Sequence, residues 1–205
     1  MQGEAIMHVV DDDRAVRQSL SFLLASEGFP VRLYESANQF LDSVTQAPAG
    51  CIITDVRMPG IDGIAFLRCL ATRGFTLPVI VMTGHADVSL AVEAMKEGAV
   101  DFIEKPFDDE LLLASLRAAL DRHQRRTQRE AQGIDVLVRL QSLSEREKQV
   151  LDRLVEGKAN KVIAHELGIS PRTVEIYRAN VMTKMRAQSL PELVRFVLLV
   201  GEGGP

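Results

Sequence analysis

The chain has 205 residues, 46% of them hydrophobic and 25% charged, a globular balance that excludes a disordered or collagen-like polymer and leaves room for two modest domains or one large one. Its apolar runs, such as Phe196 to Val200, fall far short of the roughly 18 to 20 residues that a membrane span needs. Met1-Gln2-Gly3-Glu4 lacks the basic start and apolar run of a secretory leader, so the expected location is the cytoplasm, with no membrane partner.

The net charge of −4 conceals an asymmetry. Residues 1–121 carry 9 basic against 18 acidic side chains, residues 122–139 carry 5 against 2, and residues 140–205 carry 10 against 8. Opposite charge in the two ends is the pattern of a chain in which one part handles cations and the other meets a polyanion. Cys51 and Cys69 lie in apolar stretches without a Cys-x-x-Cys or Cys/His spacing, so both read as reduced core residues.

Taken in chain order, Ile6–Val10 reads as a strand, followed by a helix from about Arg14 to Ser26 with Val16, Leu20, Leu23 and Leu24 on one face. Val31–Tyr34, Cys51–Thr54, Leu77–Met82 and Val100–Ile103 read as four more strands, with helical stretches near 36–44, 61–73, 86–96 and 107–121. Parallel strands need crossover connections, and the crossovers bring helices to both faces; the expected fold is a doubly wound, five-stranded parallel α/β sheet. A polar run from Asp121 to Gly133 then has almost nothing to bury and reads either as a solvated helical extension or as a linker. Beyond it, helices are expected near 145–156, 160–167, 171–185 and 190–199. Ser144 to Glu147 is a capping box, and Ser170-Pro171 supplies an N-cap with proline at the first helical position. The expected organisation is a domain over 1–121, a connector over 122–139 and a small all-helical domain over 140–205.

Ligand sites in an open parallel sheet gather beyond the carboxyl ends of the strands. Asp11 and Asp12 end the first strand, Asp55 the third and Thr83 the fourth, and Lys105 follows the fifth. Asp11-Asp12-Asp13 alone suits an N-cap cluster. Three acids crowded at one rim call for a cation, and a hard divalent ion such as Mg2+ (or Mn2+) prefers oxygen ligands. A carboxylate beside such an ion can attack a phosphoryl donor. Asp55 is the expected nucleophile, since it stands at the central strand end before the Met58-Pro59-Gly60 turn. Asp11 and Asp12 would hold the metal, Lys105 would pair with a phosphoryl oxygen, and Thr83 would offer its hydroxyl.

These segments, Val9 to Asp13, Thr54 to Gly60, Val81 to Gly84 and Phe102 to Phe107, resemble the motifs of bacterial two-component receiver domains over about residues 6–121. The resemblance implies a sensor histidine kinase that phosphorylates Asp55, a third metal ligand from the Arg57 backbone carbonyl, and a cis Lys105–Pro106 bond. It also implies a switch in which Thr83 moves toward the phosphoryl group and Phe102 turns inward. A changed face on residues 86–121 would then pair with a second copy through Val92, Met95 and Lys96. Such a protein is a phosphoacceptor and not an enzyme, beyond slow self-phosphorylation and self-dephosphorylation.

In the helical domain, Asn160 to Ser170 reads as helix, tight turn at Gly168 and cap of a new helix, which is helix-turn-helix spacing. On the second helix Val174, Val181 and Met185 belong to the buried side and Tyr177 to its edge, while Arg172, Thr173, Glu175, Arg178, Ala179, Met182 and Lys184 lie largely outside. Basic residues near both ends of a protruding helix suit the phosphates that flank a major groove. Leu143 to Glu147, Asn160 to Ala164 and Ser170 to Met185 resemble the LuxR-type DNA-binding domain. Arg172, Thr173, Ile176, Arg178 and Lys184 are the expected groove and phosphate contacts, Glu175 the acceptor for a cytosine amine, and Asn160 and Lys161 the backbone-positioning pair.

Thr83-Gly84-His85, the run Val92 to Phe107 and Ser170 to Glu175 are most similar to the FixJ type of response regulator. That similarity implies an oxygen-sensing kinase, RNA polymerase and promoter DNA as partners, and microaerobic or nitrogen-fixation genes as targets; a relative controlling aromatic catabolism would look much the same. Two rivals stay open: an aspartate-nucleophile phosphohydrolase, against which stand the missing cap insertion and the absence of a spaced Asp-x-Asp, and a C-terminal domain that binds protein.

Overall fold

The computed structural model describes residues 5–44, 49–84 and 88–201. Met1 to Glu4, His85 and the expected first residues of the fourth helix at 86 and 87 lie outside them. The chain divides into two compact units, Met1–Arg125 and Arg126–Pro205.

In the first unit, β1 (Ile6–Val10), β2 (Val31–Tyr34), β3 (Gly50–Asp55), β4 (Val79–Thr83) and β5 (Asp101–Glu104) form one sheet in the order β2-β1-β3-β4-β5, parallel at every junction. The helices α1 (Arg14–Ser26), α2 (Ala37–Ser43), α3 (Gly63–Thr72), α4 (Val88–Lys96) and the start of α5 (Asp109–Gln141) connect and follow the strands. Every residue of β3 is buried, as a central strand covered on both faces requires.

Side-chain alternation splits the core into two layers. Met7, Val9, Cys51, Ile53, Ile80 and Met82 pack with Leu20 and Leu24 of α1 and Leu112 and Leu116 of α5. Val10, Ile52 and Val81 pack on the other face with Phe40 of α2 and Phe66 and Leu67 of α3. Phe40 is fully buried and meets the rings of His8, Tyr34, Phe66 and Phe75 edge-on. Because β1 and β3 are neighbours, the chain ends that leave them, Asp11 and Asp55, emerge side by side where the strand order reverses.

Helix α5 is continuous from Asp109 to Gln141, so the polar run between 121 and 133 is helical rather than extended. In the second unit, α6 (Glu145–Val155), α7 (Asn160–Leu167), α8 (Pro171–Met185) and α9 (Leu190–Gly201) enclose Val150, Leu154, Ile163, Val174, Val181, Met185 and Leu193, with Val136 from the last turns of α5. Among the described residues, no helix is long and apolar enough to cross a membrane.

Candidate functional site

The acidic run after β1 divides its labour. Asp13 is the N-cap of α1 and accepts from the Ala15 amide at 2.7 Å; Asp12 is exposed; Asp11 is buried, with one carboxylate oxygen accepting from the Asp13 amide at 2.8 Å. Lys105 closes the group. Its Nζ lies 2.8 Å from Asp11 Oδ2 and 2.6 Å from Asp55 Oδ1, so one ammonium serves two buried carboxylates brought together from positions far apart in the sequence. The other Asp55 oxygen accepts from the Arg57 amide at 2.6 Å.

Burial pushes the Asp11 carboxyl above its ordinary pKa, and the Lys105 hydrogen bond only partly pulls it back. For Lys105, burial disfavours the charge, but hydrogen bonds to Asp11 and Asp55 outweigh it and hold the ammonium above the ordinary lysine value. Thr83, at the end of β4, is buried, and its carbonyl accepts from the Lys105 amide at 2.6 Å, which ties the lysine's backbone to the same rim. The Lys105–Pro106 peptide is cis. Phe102 is half-buried against the α2–α3 layer.

Two residues that the sequence did not single out shape this edge. Arg17 donates to the Asp11 carbonyl at 2.6 Å, fixing the loop from the first turns of α1. Gly63 opens α3, and a Cβ there would stand 2.5 Å from the Asp55 carbonyl oxygen, so only glycine lets α3 approach the end of β3 so closely. A basic residue one turn inside the helix after the acids, and a glycine just after the Asp62 N-cap, are the signals that would have found them.

Beside the acids lies a cleft of about 590 Å3 lined by Asp12, Val56, Arg57, Met58, Pro59, Asp62 and Leu90. The donors at this edge are carboxylate oxygens, the set a hard divalent ion prefers, and two buried carboxylates against one ammonium leave negative charge for a cation to balance. Among the described residues no three His, Cys, Asp or Glu side chains converge on one point; the Lys105 ammonium stands between Asp11 and Asp55, and Asp12 is turned to solvent. On α4, Val92 and Met95 are 47% and 49% exposed and line a shallow apolar depression with Ala91 and Lys96.

In the second unit, α7 ends on Gly168 in the left-handed region (φ 64°), and α8 starts from Ser170, whose hydroxyl accepts from the Thr173 amide at 3.1 Å. Arg172, Glu175 and Ile176 are exposed, and Arg178 is half-buried. Thr173 is half-buried, with its hydroxyl bonded to that of Ser170 at 2.8 Å. Asn160 and Lys161 open α7, the first half-buried and the second exposed. Two side chains differ from their expected roles. Met182 packs against the core, and Lys184 turns back to donate to Glu147 at 2.7 Å and to the Ser142 carbonyl at 3.3 Å. Its side chain nonetheless remains 40% exposed.

Residues 7–117 match the response regulator receiver domain, and residues 141–197 match the bacterial regulatory proteins of the luxR family. The chain belongs to the two-component response regulators, with a receiver domain followed by a LuxR-type DNA-binding domain. It is 59% identical over 195 residues to the transcriptional regulatory protein FixJ of Azorhizobium caulinodans, covering 95% of this chain and 92% of that protein. The response regulator protein TmoT of Ectopseudomonas mendocina is 43% identical, over 94% of this chain and 87% of its own length. The crystal structure of full-length FixJ from B. japonicum shares 50% identity at a TM-score of 0.63, covering 98% of this chain and 99% of that one. A sensor kinase and DNA are the partners that this pairing of domains implies.

Proposed function

We propose that the protein is a phosphorylation-dependent transcriptional activator in which Asp55 is the phosphoacceptor. The observation that carries this reading is the Lys105 ammonium within 2.8 Å of both Asp11 and Asp55, one cation set against two buried carboxylates. An Asp55 oxygen attacks the phosphorus of a kinase phosphohistidine or of acetyl phosphate; the P–N or P–O bond to the donor breaks, and the donor departs with the electron pair. Lys105 neutralises charge on the transferred oxygens, and the Thr83 hydroxyl donates a hydrogen bond to one of them. Mg2+ or Mn2+ would be held by Asp11, Asp12 and Asp55 carboxylates and the Arg57 carbonyl, supplying charge neutralisation on the phosphoryl group. No small phosphoester is turned over.

Thr83 and Phe102 then serve as the switch, and Val92, Met95 and Lys96 as the face that meets a second copy; the mixed exposure of Phe102 and the exposed apolar pair on α4 support these assignments. Arg172, Thr173, Glu175, Ile176 and Arg178 read and clamp promoter DNA, with Asn160 and Lys161 positioning the backbone. Lys184 acts from within, by holding α8 against α6. The bound dimer recruits RNA polymerase, in the cytoplasm. The greater identity to FixJ than to TmoT favours microaerobic or nitrogen-fixation genes under an oxygen-sensing kinase over aromatic catabolism. Sedimentation with and without acetyl phosphate and Mg2+, followed by selection of bound genomic fragments, tests the reading: it expects a monomer that becomes a dimer and retains promoter fragments. A protein whose association and fragment selection ignore acetyl phosphate would refute it.

A further inference from the structure

Asp11 is held at its backbone as well as at its side chain. Its amide donates to the Tyr34 carbonyl at 3.2 Å, one carboxylate oxygen accepts from the Asp13 amide at 2.8 Å, and the other accepts from Lys105 at 2.8 Å. The remaining contact comes from a charged side chain: the Arg17 guanidinium folds back over the start of α1 and donates to the Asp11 carbonyl at 2.6 Å. That carbonyl belongs to the planar peptide group joining Asp11 to Asp12, so a bond to it fixes the unit from which both residues depart. Asp12 depends on this more than Asp11 does. It is exposed, and among the described residues its carboxylate meets no donor, so the backbone places it.

The choice of acceptor matters. Asp13 lies one turn before Arg17 on α1, and Glu35 lines the same depression, yet among the described residues Arg17 forms no ion pair. A cation bonded to a carboxylate oxygen occupies a position that a metal ion needs, as Lys105 does on Asp11 and Asp55. A cation bonded to the carbonyl behind the carboxylates stiffens them and leaves their oxygens open. The bond is charge-assisted and half-buried, and groups that hold metal ligands in place without touching the ion govern its affinity. The charge by itself acts in the opposite sense, because a cation beside a divalent-ion site repels the ion. Removing Arg17 therefore weakens ion binding if the hydrogen bond matters and tightens it if only the charge does.

We infer that Arg17 is a positioning residue for the divalent cation: through the Asp11 carbonyl it holds the Asp11–Asp12 peptide in the orientation that presents both carboxylates to Mg2+ or Mn2+. This rests on the phosphoacceptor reading above and extends it to a side chain that touches neither the ion nor the phosphoryl group.

The test titrates full-length protein with Mn2+ in the absence of any phosphoryl donor and reads the free ion by electron paramagnetic resonance. Arg17→Met should weaken Mn2+ binding by about 10- to 100-fold, and the Mg2+ concentration for half-maximal uptake from acetyl phosphate should rise in parallel. At saturating Mg2+ most of the uptake rate should return. Arg17→Lys, which keeps the charge and a donor at shorter reach, should fall between the wild type and the methionine variant. Thermal melting followed by circular dichroism establishes that the variants are folded. A lowered melting temperature with an unaltered Mn2+ constant would make Arg17 a structural clasp, and tighter binding in Arg17→Met would make it only a repelling charge; either result overturns the inference. If the methionine variant does not fold, the lysine variant decides, with weaker binding expected and a wild-type constant overturning the inference. Wild-type protein that binds no Mn2+ would overturn the metal reading and this inference together.

Discussion

Two buried carboxylates, one in each unit, have almost the same immediate surroundings, and the proposed function gives them different ends. Asp55 is 8% exposed and accepts from a lysine ammonium at 2.6 Å and a backbone amide at 2.6 Å. Glu147 is 4% exposed and accepts from Lys184 at 2.7 Å and the Ser144 amide at 2.7 Å. What separates them is the charge left over. Lys105 is shared with Asp11, so the receiver edge holds two acids against one cation, and burial pushes the Asp11 carboxyl up. Glu147 has Lys184 to itself, and hydrogen bonds from that lysine and from the Ser144 amide hold its pKa below the ordinary value. In the proposed function neither burial nor the number of hydrogen bonds sets the phosphoacceptor apart from the scaffold; the unbalanced charge does.

The comparison can be broken most sharply at the lysines. Lys105→Met should slow phosphoryl uptake from acetyl phosphate by about a hundredfold or more, the usual loss when a preorganised charge is removed from a transition state; an unchanged rate would move the functional cation elsewhere. A buried base with no counter-charge gives the next largest effect. His8 lies wholly inside the sheet with Nδ1 3.1 Å from the Tyr34 hydroxyl, and burial, aided by the nearby Arg32 charge, holds its pKa down to about 4. The unfolded chain therefore binds a proton that the folded chain refuses, and stability present above about pH 6.5 is lost as the pH falls toward 4, by on the order of 3 kcal/mol. Urea unfolding at stepped pH should show this component in the wild type and its absence in His8→Phe; identical pH profiles would contradict it.

On the scaffolding side, Glu147→Gln should destabilise the helical unit by about 2 kcal/mol, as expected for hydrogen bonds to a charged group, and leave phosphoryl uptake intact. Ser144→Ala, which removes only the cap, should cost about 1 kcal/mol. Differential scanning calorimetry of the full chain checks both, and an effect of either substitution on phosphoryl uptake would erase the distinction between the two carboxylates.

The parts that were legible in the sequence are those with a local signature. Strand and helix order followed from side-chain period, the Ser144–Glu147 capping box from a spacing of three, and the convergence of Asp11, Asp55, Thr83 and Lys105 from the rule that parallel strands open their ligand sites at one end. The extent of α5 was not legible: a run with few apolar residues reads equally as helix or linker, and the helix shows only in the continuous backbone. Nor was the fate of Lys184, because its partner Glu147 lies 37 residues away and on another helix. His8 was hidden for the same reason, since a histidine in a strand declares neither its burial nor a tyrosine 26 residues on. Contacts set by topology alone leave no periodic trace.

The most direct measurement is to locate the phosphoryl group by mass spectrometry of peptides from protein incubated with acetyl phosphate and Mg2+, in the wild type and in Asp55→Asn. One phosphoryl group on Asp55, absent from the variant, is the predicted result. An unmodified wild-type Asp55, or a variant that is labelled as fully as the wild type, would contradict the assignment of the surplus charge at this edge to phosphoryl chemistry.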